Sequence, residues 1–236
     1  MKRRYRRKLV TLSAAALAAG ALAIGAADHT QWPLSPAPPA APAPPPTAAA
    51  GDIARLLAQI PTATTITPVA GYDRSCKKGH SCVFGPAWND PLDHSGCDTR
   101  SRVLAAQLHD VQFKPGTRTC KVTAGWVHDP YTGQRITLED IAVDHVVALR
   151  YAWDAGAWQW TPQQRAIFAN DTDNLLAVDT RENSAKGDSG PSEWLPATGQ
   201  CAYVIRFLSV AAKYQLAIAD ADRHAAMIAC PAGVAS

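Results

Sequence analysis

"VDHVVALRYAW", residues 143–153, decides how the rest of the chain is read. Val143, Val146, Val147 and Leu149 read as anchors of a buried strand, yet Asp144 and His145 stand side by side at its mouth. Ionisable side chains are seldom buried without a partner or a task. Neighbours on a regular strand project to opposite faces. The pair therefore shares one site only where the strand ends or bends. Alone, an Asp-His pair reads as a surface carboxylate beside a structural histidine. The following sequence changes that. Asn174 comes 29 residues after His145, directly before the apolar run "LLAV" (175–178). Asn183 lies nine residues further, in "TRENSAKG" (180–187), which reads as a short helix stopped by Gly187. The order is strand with Asp-His, excursion, Asn, strand, helix with Asn.

That order, "DHVVAL…NLLAVDTRENSAKG", resembles the signature of HNH endonucleases in the form Asp-His…Asn…Asn. The resemblance continues through "GYDR", "GCDTRSRVL", "FKPGTRTC" and "DPYTG" upstream, and through "GDSGPSEWLP", "CAYV" and "KYQL" downstream. Together these are similar to secreted actinobacterial-type HNH nucleases, a group related to the C-terminal nuclease domain of GmrSD-type restriction enzymes. They cover nearly all of 70–230. The fold implied is α+β: a ββα-metal (HNH) nuclease core with a small antiparallel sheet and surrounding helices, stabilised by disulfides.

The resemblance implies roles that suit the residue types. Asp144 and Asn183 are expected as metal ligands, a hard carboxylate and a neutral amide oxygen. So few protein ligands suit Mg²⁺, with Mn²⁺ as the alternative. His145 is the expected general base, its ordinary pKa lying near working pH. Asn174 joins the catalytic set as the brace of the loop around that base. Asn170 competes for this place, but Asn174 directly precedes the strand. Lys186 reads equally as a phosphate contact or as an ion-pair partner. Arg100, in "CDTR", is a phosphate contact by resemblance, with a salt bridge to Asp98 or Asp73 as the preferred alternative. Asp188 and Glu193 read as solvated or helix-end residues. Trp153, Trp158, Trp160 and Trp194 read as packing. His80, His94, His109, His128 and His224 show no ligand pattern.

The function expected is a secreted, metal-dependent endonuclease hydrolysing phosphodiester bonds in DNA, with RNA as an alternative substrate. It is expected to act as a monomer and, since the mature chain is acidic, with low sequence specificity; no helix-turn-helix or finger pattern in the sequence speaks to specificity. The rival is an exported nucleic-acid-binding or interaction module without catalysis. The intact set Asp144, His145, Asn174 and Asn183 weighs against it.

The flanking sequence fits export. Of the 236 residues, 2–8 are basic and 9–27 are uncharged and rich in Ala and Leu, a signal-peptide pattern with a cut expected before Asp28. An uncleaved anchor is the rival, but alanine is only weakly apolar, and no stable membrane association is expected after cleavage. The basic start also loosely resembles a twin-arginine signal. Removing 1–27 leaves 17 basic against 20 acidic residues, so the whole-chain charge of +3 becomes −3. A nucleic-acid partner then needs a local basic patch or a bound cation. The Pro/Ala-rich stretch 28–50 reads as a semi-rigid spacer, and 51–236 as one nuclease domain.

The six cysteines, Cys76, Cys82, Cys97, Cys120, Cys201 and Cys230, suggest disulfides in an exported chain. Chain order favours 76–82, 97–120 and 201–230, although six cysteines allow about 15 pairings. A zinc reading of Cys76, His80 and Cys82 lacks a fourth ligand and the usual spacing. Helices are expected over 51–60, 98–110, 161–170, 203–218 and 220–229, with strands over 111–113, 119–127, 135–138 and from 141 to 149.

Overall fold

The computed structural model describes residues 46–231. The expected export signal and most of the expected spacer lie outside the described residues. Helix α1 (Pro46–Leu57) begins inside the Pro/Ala tract. It is followed by β1 (Thr62–Ala63), α2 (Thr99–Gln107), β2 (His109–Phe113), β3 (Val122–His128), β4 (Arg135–Thr137) and β5 (Ile141–His145). Then come α3 (Leu149–Asp154), α4 (Pro162–Asn170), β6 (Leu175–Asp179), α5 (Thr180–Lys186), α6 (Gln200–Tyr214), β7 (Ile218–Ala219) and α7 (Asp220–Ala229).

Local chemistry sets several boundaries. Asp98 caps α2 by accepting from the Ser101 amide. Thr161 and Gln164 form a reciprocal capping box on α4, with Pro162 in its first turn. Residues 71–97 form no helix or strand. Helix α6 ends at Tyr214, short of the expected 218, because Gln215 turns left-handed.

The expected single small sheet is three separate ones. β1 and β7 pair in parallel, β2–β3–β4 form an antiparallel meander, and β5 pairs antiparallel with β6. Gly125 permits the irregular β2–β3 register: its φ is +154°, and a Cβ there would stand 2.8 Å from Leu108 Cδ2.

The β5–β6 hairpin lies between two cores. Register pairs Val143 with Ala177 and His145 with Leu175. Ile141, Val143, Leu175 and Ala177 share one face and join the smaller core with Val103, Leu104 and Leu108 of the α2 region. Val178, on the other face, joins the larger core with Phe168, Val204, Phe207 and Leu208. The strand expected to run to 149 stops at His145 instead. Val146 and Val147 are buried in the bend, and Leu149 opens α3. These residues anchor the end of the strand, not its length.

Three disulfides, Cys76–Cys82, Cys97–Cys120 and Cys201–Cys230, tie the irregular segments and the α6–α7 pair. With Cys76 and Cys82 joined, the zinc reading has no thiolates to use. Among the described residues, no helix is long and apolar enough to cross a membrane.

Candidate functional site

Hairpin β5–β6 runs directly into α5, and the site forms where β5 ends. Asp179 starts α5 by accepting from the Arg181 and Glu182 amides. Asn183 and Lys186 stand three residues apart on that helix, hence on one face. Asp144 and His145 alternate across the strand, but the chain bends immediately after them. Both therefore line one polar cavity of about 220 Å³, together with Asn183, Arg74 and Asp188.

Asp144 is 5% exposed. Its Oδ1 accepts from Lys186 Nζ at 3.0 Å, and its Oδ2 accepts from the Tyr131 hydroxyl at 2.6 Å. Burial pushes the carboxyl up, while the Lys186 ammonium and the Tyr131 hydroxyl pull it back down. Tyr131 is itself buried, which pushes its phenol far up and keeps it a donor. Its turn is held by Asp129, whose carboxylate accepts from the amides of Tyr131, Thr132 and Asp179. One buried carboxylate thus links the turn carrying Tyr131 to the cap of α5.

Lys186 is fully buried, and Nζ also donates to the His145 carbonyl at 2.9 Å. Of its two expected roles, the structure shows the ion pair. Its ammonium is sealed from solvent and paired with Asp144. Arg100 donates to the Ile141 carbonyl at 3.2 Å, at the end of β5 opposite the Asp-His pair, and among the described residues it makes neither expected salt bridge. It lines a different cavity, beside Cys97 and Leu138.

His145 is 8% exposed. Its Nε2 lies 2.8 Å from the Ala169 carbonyl oxygen, which can only accept, so Nε2 carries the proton. Nδ1 has no protein partner among the described residues. It is also not among their sealed, unpaired atoms, which are Arg102 Nε and the Tyr203 hydroxyl. Nδ1 is therefore not sealed, and His145 lines the cavity. Burial, with Arg74 and Lys186 nearby, lowers the imidazole pKa to about 4. The sequence placed it near neutrality; desolvation of the cation moves it down, and the ring stays neutral throughout the physiological range.

Asn174 is fully buried and clamps the bend. Its Oδ1 accepts from the Val147 amide at 2.8 Å, its Nδ2 donates to the Val147 carbonyl at 3.1 Å, and its own carbonyl accepts from the Val146 amide. Asn170 is instead bonded to Thr99, Asn89 and Ala166, away from the bend.

Three residues escaped the sequence reading of the site. Tyr131 was visible only as part of a turn, "DPYTG". Arg74 follows "GYD" in the irregular segment; it is exposed, has no salt bridge among the described residues, and lines both cavities that meet at His145. Trp88 stacks on the imidazole, rings 9° from parallel with centroids 5.7 Å apart. Asp188, read as a solvated or helix-end residue, is on the cavity wall. Of the four tryptophans read as packing, Trp153 is buried and Trp160 and Trp194 pack on the larger core, while Trp158 is 47% exposed.

Among the described residues, no group of three or more His, Cys, Asp or Glu is arranged to hold a metal. The set that converges is sparser: the Asp144 carboxylate and the Asn183 amide on one polar wall. Each Asp144 oxygen accepts one hydrogen bond and keeps a lone pair. A Mg²⁺-type ion retains several waters and takes only one or two carboxylates plus phosphate oxygens. The residues present fit such an ion.

Residues 98–229 match the family described as "GmrSD restriction endonucleases, C-terminal domain". A protein named "Uncharacterized secreted protein" from Arthroderma benhamiae is 35% identical over 176 residues, covering 70% of this chain and 83% of that relative. No solved structure matches.

Proposed function

This chain belongs to the family of GmrSD restriction endonuclease C-terminal domains, which is HNH-like and suggests nuclease activity, and on that premise we propose that it is a secreted, metal-dependent endonuclease acting on DNA or RNA. One observation carries the reading. A neutral imidazole, fixed through Nε2 and open at Nδ1, shares a polar cavity with a carboxylate, an amide and a guanidinium that makes no salt bridge among the described residues.

Each group has a defined task in phosphodiester hydrolysis. His145 Nδ1 takes a proton from a water as its oxygen attacks phosphorus, and the low pKa keeps that nitrogen free at neutral pH. Asn174 keeps the bend, and so the direction of the imidazole, in place. Arg74 reaches the cavity with donors for the phosphate oxygens, the fork geometry that suits phosphate. A divalent cation held by Asp144 and Asn183 would supply neutralisation of charge on the phosphate and leaving oxygen. Tyr131 and Lys186 orient the Asp144 carboxylate from behind.

Export is supported by the name of the relative, by the three disulfides and by the signal-like start. The rival, a non-catalytic binding module, draws on the buried Lys186, which already neutralises Asp144. Incubating plasmid with the protein and Mg²⁺ or Mn²⁺, with and without chelator, separates the two. Chelator-sensitive cutting supports the nuclease, and retention of plasmid without cutting supports the module.

A further inference from the structure

We infer that the apolar cavity beside His145 is a nucleobase subsite, which makes the preferred substrate a strand with an unpaired base next to the scissile phosphate. The position of that phosphate rests on the nuclease reading above; the apolar subsite rests on separate observations.

Two cavities meet at His145 and Arg74. One is polar and carries Asp144 and Asn183. The other, about 140 Å³, is walled by Phe84, Gly85, Pro86, Ala87, Trp88 and Leu149. A nucleotide has the same two halves: an anionic phosphate and a flat ring with apolar faces. The apolar cavity falls below the roughly 300–1,000 Å³ of sites that enclose a whole ligand. It suits one ring, with the rest of the chain outside.

The wall is built and held. Trp88 has φ +61°, a left-handed conformation that bulky side chains rarely adopt and that tends to persist at functional sites. Its carbonyl is held by the Thr99 amide at 3.0 Å. The Cys76–Cys82 bridge closes the preceding loop, the Gly85 amide donates to the Cys82 carbonyl, and Arg165 Nε donates to the Val83 carbonyl at 2.6 Å. Residues 74–88 also precede the stretch 98–229 that matches the family, so most of this wall lies outside the matched core.

A base stacked within a duplex does not enter such a cavity unless it is flipped out. Single strands and looped ends present unstacked bases, and contact with aromatic walls tolerates any base. The geometry therefore favours single-stranded substrate without strong sequence preference.

The test uses the mature protein and a fluorescein-labelled oligothymidylate of about five nucleotides, within the usual footprint of single-strand sites. An abasic residue is placed at each position in turn. Binding is read by anisotropy in chelator, and cutting is read with Mg²⁺. One abasic position should raise Kd by about fivefold or more, the equivalent of losing one stacked base. A mixed-sequence single strand of about 30 nucleotides should be bound and cut about tenfold better than the same strand annealed to its complement. Ala87→Trp, which puts an indole into the cavity, should abolish the abasic effect on binding. Base-independent binding with equal cutting of strand and duplex would overturn the subsite while leaving the nuclease reading. An Ala87→Trp protein that still discriminates the abasic strand would overturn it too. Base-dependent binding without any Mg²⁺-dependent cutting would support the subsite and overturn the nuclease reading.

Discussion

Replacing Lys186 with methionine tests the electrostatic core of the site. The methionine keeps the length of the apolar stem but leaves Asp144, 5% exposed, with the Tyr131 hydroxyl as its remaining side-chain donor. Breaking a buried ion pair costs about 3–5 kcal/mol, because the remaining charge is stranded. Protonation of Asp144 sets a ceiling. Taking up a proton at pH 7 against an ordinary carboxylate pKa of about 3.9 costs about 4 kcal/mol, and at pH 5 about 1.5 kcal/mol. The loss in Lys186→Met should therefore be about 4 kcal/mol at pH 7 and shrink to roughly 1.5–2 kcal/mol at pH 5. Urea unfolding with the disulfides intact measures it. With a slope of about 2 kcal/mol/M, the midpoint at pH 7 falls by roughly 2 M. Adding Asp144→Asn to Lys186→Met removes the stranded charge and should recover at least half of the loss. A loss at pH 7 below about 1 kcal/mol, or one that does not shrink on acidification, would refute the buried pair as the support of Asp144.

Other consequences follow from the same geometry. The His145 pKa is lowered from 6.5 to about 4, so the folded state binds fewer protons than the unfolded chain between those values. Its contribution is retained above pH 6.5 and lost as pH falls towards 4, about 2 kcal/mol between pH 7 and pH 5. Calorimetry of His145→Gln, which can still donate to Ala169, should show a stability–pH slope flatter by that amount. Arg74→Ala should lower kcat/KM about 10–100-fold through loss of a charge-assisted phosphate contact, with the melting temperature unchanged because the side chain is exposed. Removing the Cys201–Cys230 bridge with paired serines, which opens a 29-residue separation, should cost roughly 3.5 kcal/mol. A thermal melt under non-reducing conditions checks it.

Much of the framework was legible because it depends on local chemistry. Thr161-Pro162 with Gln164 announces the start of α4, and Gly187 announces the end of α5. The order Asp-His, Asn, Asn marks the hairpin and helix that carry the site. What escaped depends on contacts remote in sequence. Tyr131 reaches Asp144 from 13 residues away, and its hydrogen bond has no periodic signature. Arg74 and Trp88 belong to the irregular stretch 71–97, where no hydrophobic period fixes direction and a disulfide supplies the constraint. Lys186 shows a further limit. The sequence offers Lys186 both as an ion-pair partner and as a phosphate contact, and burial is what separates the two. The length of β5 was overestimated because Val146, Val147 and Leu149 are apolar, and apolar runs do not reveal where a strand bends into a helix.

The most direct test of the nuclease reading is the rate of supercoiled-plasmid cutting by wild type and His145→Ala, each with Mg²⁺ and with chelator. General-base loss predicts a fall of about 10²–10⁴-fold in His145→Ala with the fold retained, and chelator should abolish cutting by the wild type. Cutting by His145→Ala at the wild-type rate, or cutting by the wild type that survives chelation, would contradict it.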